Sequence, residues 1–354
     1  MGRPLIVTDP GIVDIGLLAE LTSVLEDEDV SFSVFDRVVA DPPQDIVEQA
    51  IDFTRNQGCD GVIGFGGGSS LDVAKLIAVL QNSKQGLCEL FGIDQVAGQR
   101  APLILIPTTA GTGSEVTPVA IVTTGETTKA GVVAQQLIPD IALLDAELTL
   151  KLPAHVTAAT GIDAMVHAIE AYTSKIRKNP YSDMLAREAL ALLFANIRIA
   201  TFEPDNIVAR QNMLLGACLA GQAFANSPVA AVHALAYPLG GHFHIPHGLS
   251  NALVLTEVMR FNTSHAAAEY AELANDLRHR LGEQQLRSNS QTLVELLDTL
   301  IIDLKLPTRL RELGIKESDL DALADDAMLQ TRLLVNNPKA VTRNDAFNIY
   351  QAVW

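Results

Sequence analysis

Cysteine is scarce in this chain. Cys59, Cys88 and Cys218 are all that 354 residues hold, and an odd count at no metal-ligand spacing fits neither a disulfide framework nor a structural zinc site. Buried free thiols in a reducing cytoplasm are expected. Positive charge is short as well: 25 Lys and Arg face 42 Asp and Glu, a formal net charge of −17. Such a field repels phosphate backbones and argues against a nucleic-acid partner. Long apolar runs are missing too. No segment reaches the ~18 residues of a membrane helix, and the opening MGRPLIVTDPG reads as a strand and a turn rather than a signal peptide. A cytoplasmic protein with no membrane partner is the expectation. Internal repeats and low-complexity tracts are absent.

What is present is a globular composition, 48% hydrophobic and 19% charged, at a length that allows about two domains with large cores. The first part of the chain alternates. Short apolar runs bounded by Gly, Pro or Asp read as buried strands: Pro4–Asp9, Ser31–Asp36, Gly61–Gly66, Pro102–Thr109 and Ile141–Asp145. Helical patterns at Val13–Glu26 and Asp45–Gly58 separate the early ones, which predicts a parallel sheet with helices on both faces. After about Leu150 the strands stop and apolar residues recur at helical spacing, as in Arg187–Ile197, Gln211–Phe224, Ser290–Leu304 and Ser318–Leu329. The expected division is an α/β domain over 1–150 and an all-α domain over 151–354. Leu281–Ser290 reads as a mobile loop.

GVIGFGGGSSLDVAK is a strand, three glycines, and a helix starting at Ser69 or Ser70. Glycine lets backbone N–H groups approach an anion and the helix N-terminus adds partial positive charge, which suits a pyrophosphate. The strict G-x-G-x-x-G pattern fails here, and the loop follows the third strand instead of the first, so a plain strand–helix turn stays open. Two features favour a nucleotide. Asp36 ends the second strand, where a carboxylate can accept from ribose hydroxyls, though it could equally cap a helix. PTTAGTGSE follows the fourth strand and adds a second small-residue loop at the same sheet edge.

Half of the eight histidines crowd into VHALAYPLGGHFHIPHG: His233, His242, His244 and His247. Further back, GIDAMVHAIEAY sets Asp163 and His167 four residues apart, on one face of an otherwise apolar helix. A buried Asp and His need partners, and a metal would satisfy both. His233 and His247 also sit among apolar residues. A lone histidine there is more often a satisfied core residue, but one carboxylate and three imidazoles together suit Fe²⁺ or Zn²⁺.

GGGSSLDVAK, PTTAGTGSEVT, TGIDAMVHAIEAY and VHALAYPLGGHFHIPHG, in this order and spanning nearly the whole chain, resemble the iron-containing (group III) alcohol dehydrogenase family. The resemblance implies a nucleotide-binding α/β domain, an all-α domain and a cleft between them, the architecture shared with dehydroquinate synthase. It places the metal ligands on Asp163, His167, His233 and His247, with Fe²⁺ as first expectation and Zn²⁺ as second. It places NAD contacts on Asp36, Gly66, Gly67, Gly68, Ser69, Asp72, Thr108, Thr109, Thr112 and Lys129. The implied activity is reversible, NAD-linked oxidation of an alcohol to an aldehyde or ketone, and the family leaves room for a homodimer. Three departures stand out. Tyr237 occupies the position four residues after His233 where relatives often have a second histidine, and it becomes the candidate catalytic residue. The strand pair that commonly precedes PLIVTDPG in relatives, and can contribute to dimer contacts, is not seen. Ala146 replaces a common proline after Asp145. Against the rival readings, a dehydroquinate synthase-like lyase would need a basic cluster for a phosphorylated substrate, and the helical part offers only Lys175, Arg177 and Lys178 near the quartet. A metal-independent reductase of the maleylacetate type, or a silent binding protein, fits poorly with an intact Asp163/His167 pair.

Overall fold

The computed structural model describes residues 1–125, 128–280, 282 and 288–354, so most of the expected Leu281–Ser290 loop lies outside the described residues. The chain divides into two compact units, Met1–Lys151 and Leu152–Trp354.

The first unit runs β1 (Pro4–Val7), α1 (Pro10–Asp14), α2 (Leu17–Asp27), β2 (Ser33–Phe35), α3 (Gln44–Gln57), β3 (Gly61–Gly66), α4 (Gly68–Leu80), β4 (Gly92–Ile93), β5 (Leu103–Pro107), β6 (Val119–Thr124), β7 (Thr128–Val133) and β8 (Ile141–Ala142). Five strands pair in parallel in the order β2-β1-β3-β5-β8, each within an expected strand. Alternate side chains point to opposite faces. Leu5, Val7, Val62, Leu103 and Leu105 join Val47, Ala50, Leu71 and Leu76 of α3 and α4 in one core. Ile6, Ile63, Phe65 and Ile106 join Ile12 and Leu17 of α1 and α2 in the other. A sheet covered on both faces explains why its strands read as continuous apolar runs.

Four local expectations are corrected. Of the three thiols only that of Cys218 is buried, while Cys59 is half-buried and Cys88 exposed. The helix expected over Val13–Glu26 is split at Gly16, whose φ of +77° is a left-handed conformation that interrupts the ladder. Helix α4 begins at Gly68 rather than at a serine. A second, three-stranded sheet, β4-β7-β6, went unforeseen. Its antiparallel pair is only half buried, with Ala120 and Val122 inward and their neighbours partly exposed. A reading tuned to fully apolar strands passes over such a hairpin.

In the second unit every named element is helical: α5 (Ala154–Thr173), α6 (Pro180–Phe202), α7 (Ile207–Asn226), α8 (Ala231–Phe243), α9 (His247–Arg280, broken at Ala266), α10 (Ser290–Asp303), α11 (Leu320–Ala327), α12 (Thr331–Leu334) and α13 (Arg343–Val353), with short 3₁₀ turns before α11. Helix α5 is the axis, and every residue from Gly161 to Thr173 is buried. A helix apolar all round must be enclosed by others, so the ionisable groups on it can find partners only on neighbouring helices. Among the described residues no single helix is long and apolar enough to cross a membrane.

Candidate metal centre and glycine loop

Three helices bring four expected ligands together. Asp163 and His167 lie one turn apart on α5, His233 is the third residue of α8, and His247 opens α9. Asp163 Oδ1 is the focus: His247 Nε2 lies 3.6 Å away, His233 Nε2 3.7 Å and His167 Nε2 4.0 Å. Asp163, His233 and His247 form a cluster whose ligand atoms all lie within 4.8 Å of one another. The His167 and His233 rings stack with centroids 4.8 Å apart, and the His247 ring is tilted against that of His233 at 5.4 Å. Phe224 also stacks on His167, at 4.4 Å.

These donors fit a small cation. With bonds of ~2.0–2.2 Å, tetrahedral ligands stand about 3.4 Å apart, close to the separations seen. The most specific sign is His233. Its Nδ1 is 2.7 Å from Glu170 Oε2 and, against an oxygen that already accepts a backbone N–H, acts as the donor. Its Nε2 is buried, makes no hydrogen bond, and faces a carboxylate oxygen too far away for one. A bare nitrogen lone pair turned toward a carboxylate is unfavourable unless a cation lies between them. Burial is the largest single influence on Asp163 and pushes its carboxyl up, but His167, His247, His233 and the Asn251 amide together outweigh it and hold the carboxyl below its usual range.

Access is one-sided. The side chains of Asp163, His167 and His233 are nearly sealed, whereas that of His247 is 32% exposed. A catalytic metal needs such an open position. Gly248 explains how α9 comes close enough: a Cβ at that position would stand 2.4 Å from the Ala159 carbonyl oxygen of α5. Tyr237, one turn beyond His233 on α8, is partly buried, with its ring centroid 5.8 Å from that of His247. Helix α8 continues through Pro238 to Phe243, so Tyr237 is not at a helix end. Of the other two clustered histidines, His242 is exposed and paired with Asp326, and His244 is the exposed left-handed C-cap of α8. Neither joins the quartet. Glu170 and Asn251 were missed in the sequence. Asn251 Nδ2 is 2.6 Å from Asp163 Oδ1 and 3.3 Å from His247 Nε2, and its signal was the one-turn spacing after His247.

The glycine loop gathers much of the expected nucleotide set. Gly66 has φ +150°, and a Cβ there would meet Ser70 at 2.9 Å. The Thr108 amide donates to the Gly66 carbonyl, and Thr112 abuts Gly68. No side chain caps α4, whose N-cap is Gly67, which leaves its first-turn N–H groups for an anion. The Thr108 hydroxyl is buried without a partner among the described residues, the next residue, Thr109, is partly exposed, and so is Ser69 in the first turn of α4. Asp72 is engaged within the protein, accepting from the Ser114 hydroxyl at 2.6 Å and the Ile121 amide at 2.9 Å. It ties α4 to the second loop. Asp36 is exposed just after β2, and Lys129 is paired with Asp41. Asp9, overlooked in the sequence, follows β1, the neighbour of β3, and accepts from the Ile12 amide and the Ser70 hydroxyl.

Residues 1–146 match the family described as iron-containing alcohol dehydrogenase, and residues 157–354 match the one described as Fe-containing alcohol dehydrogenase family, C-terminal. The chain belongs to the iron-containing alcohol dehydrogenase family. This dehydrogenase is 43% identical over 353 residues to long-chain-alcohol dehydrogenase 1 of Geobacillus thermodenitrificans, covering 99% of this chain and 89% of that one. Its fold superposes on a crystal structure of 1,3-propanediol oxidoreductase with a TM-score of 0.93 at 31% identity, covering 99% and 92% of the two chains. A sulfoacetaldehyde reductase of Bifidobacterium kashiwanohense, solved with NAD⁺, gives a TM-score of 0.87 at 28% identity, covering 100% and 91%.

Proposed function

We infer that Asp163, His167, His233 and His247 hold one divalent ion, iron first, and that the glycine loop of the first unit holds NAD. This dehydrogenase acts on small-molecule alcohols and aldehydes, interconverting an alcohol with its carbonyl product by hydride exchange with NAD. The observation that carries the metal assignment is the convergence of three imidazole Nε2 atoms on one buried carboxylate oxygen. When bound, the ion supplies Lewis acidity at the alcohol oxygen, and the nicotinamide supplies the hydride acceptor.

The chain's own residues do the rest. The uncapped N-terminus of α4 and the Thr108 hydroxyl receive the pyrophosphate, and Asp36 reads the adenosine ribose. The buried side of the quartet excludes water, which strengthens the electrostatics there, while the half-open His247 side admits substrate. Tyr237, with its ring against that of His247, orients the substrate or passes its proton. The three relatives named above are called after long-chain alcohols, 1,3-propanediol and sulfoacetaldehyde, so residues such as Phe224 and Tyr237 beside the ligand rings are proposed to select the substrate. The reading needs no nucleic acid and no membrane, and a cytoplasmic location goes with it.

A screen of primary alcohols, diols and hydroxy acids for NADH formation, with and without added Fe²⁺, tests the assignment. Metal-dependent NADH from at least one alcohol is expected. Turnover indifferent to metal would favour the maleylacetate-type reductase, and catalysis without net NADH would favour the lyase.

A further inference from the structure

We propose that Glu170 is a positioning residue that locks the first helix of the metal centre to the second and fixes the hydrogen of His233 on Nδ1, so that Nε2 is presented to the ion. The proposal rests on the quartet reading above and deepens it.

Glu170 sits two turns after Asp163 on α5, and its side chain is almost wholly buried. Both of its oxygens accept hydrogen bonds from the start of α8. Oε1 takes the Val232 amide at 2.6 Å, and Oε2 takes the Ala230 amide at 2.9 Å as well as His233 Nδ1 at 2.7 Å. The α8 N-cap, Ala230, has no capping side chain of its own. Glu170 therefore caps α8 from another helix, satisfying two first-turn amides and placing negative charge at the positive helix end.

A cap would need only the amides. The third bond settles the tautomer. In a neutral imidazole one nitrogen donates and the other accepts. With Nδ1 donating to Glu170, Nε2 keeps its lone pair, and that is the nitrogen aimed at Asp163 Oδ1. Partners of this kind orient a ligating histidine and raise its basicity, and losing them costs roughly 10–100-fold in metal affinity. Since Asp163, His167 and Glu170 share α5, one carboxylate sets the helix of His233 in register against the helix that supplies Asp163 and His167.

The test uses the full-length protein stripped of metal and titrated with Co²⁺ against a chelator, following the visible d–d bands. Glu170→Gln removes the charge and sets an amide against one of the three N–H donors. Glu170→Asp keeps the charge but withdraws it by one methylene. Both are expected to bind Co²⁺ about 10–100-fold more weakly, with altered bands, while circular dichroism shows a folded chain. A purely structural cap would lower the melting point and leave affinity and bands of the folded protein alone. Wild-type affinity and bands in both variants overturn the proposal. His233→Ala separates the two levels: if it loses Co²⁺ while the Glu170 variants retain it, the quartet stands and the role of Glu170 falls, and if it binds as wild type the quartet itself falls. Should the Glu170 variants not fold, long-range ¹H–¹⁵N correlation of the metal-free wild type decides. Hydrogen on His233 Nδ1 alone supports the proposal, and hydrogen on Nε2 overturns it.

Discussion

Replacing Gly248 with alanine adds one methyl group at the point where α9 meets α5. The backbone there is not left-handed, so alanine is conformationally permitted and space alone decides. The methyl would lie 2.4 Å from the Ala159 carbonyl oxygen, whereas ordinary contact begins at 3.4 Å. The obstacle is helical backbone at a buried position of α5 and cannot swing aside as a side chain could, so the start of α9 must retreat by about 1 Å. Overpacking of this kind costs about 1–3 kcal/mol, which for a unit of this size lowers the melting point by about 2–12 °C. His247 is the adjacent residue and moves with the backbone. Metal ligands tolerate displacements of about 0.2 Å, so metal affinity should fall on the order of tenfold or more. Gly240→Ala on α8 is the control, since its methyl would meet nothing closer than 3.5 Å. Thermal melts and Co²⁺ titration of the two variants provide the assay. A Gly248→Ala protein that melts and binds Co²⁺ like wild type would refute the claim that this glycine sets the approach of His247.

Tyr237→Phe removes only a hydroxyl. It should lower kcat and shift the pH profile of alcohol oxidation if that hydroxyl orients substrate or passes a proton, and an unchanged profile under chemistry-limited conditions leaves only a packing role. The enzyme should prefer NAD to NADP, because a 2′-phosphate would meet a carboxylate. Arg37 stacks on Phe35 with 4.7 Å between guanidinium and ring, and Asp36→Gly should narrow the preference in kcat/KM. If Asp9→Gly narrows it and Asp36→Gly does not, the ribose is read at the end of β1. Burial pushes the Glu115 carboxyl up to about 7 from 4.5, with Lys75 only partly opposing it. A raised carboxyl contributes stability that is fully present below about pH 4.5 and is lost as pH rises through about 7. Relative to Glu115→Gln, the wild type should therefore lose up to about 3 kcal/mol across that window, and a flat difference in melting temperature would contradict this.

The candidate metal centre was legible because its chemistry is at odds with its surroundings. Asp163 and His167 share a helical face in an otherwise apolar segment, and two later histidines sit among alanines, leucines and prolines. The meeting of α5 with α8 is a tertiary fact with no local trace, which is why Glu170 escaped notice although it lies in the same motif as Asp163. The parallel strands were legible because burial on both faces leaves unbroken apolar runs, and the half-buried hairpin was not. At the glycine loop the sequence marks small residues and hydroxyls. It does not say that Asp72 is occupied by Ser114 and Ile121, or that Asp9 stands beside Ser70.

Metal analysis of purified protein after loading with Fe²⁺ bears most directly on the central claim. Wild type should carry one ion per chain, and both Asp163→Ala and His233→Ala should lose it together with metal-dependent NADH formation. Undiminished metal in either folded variant would contradict the assignment of the site.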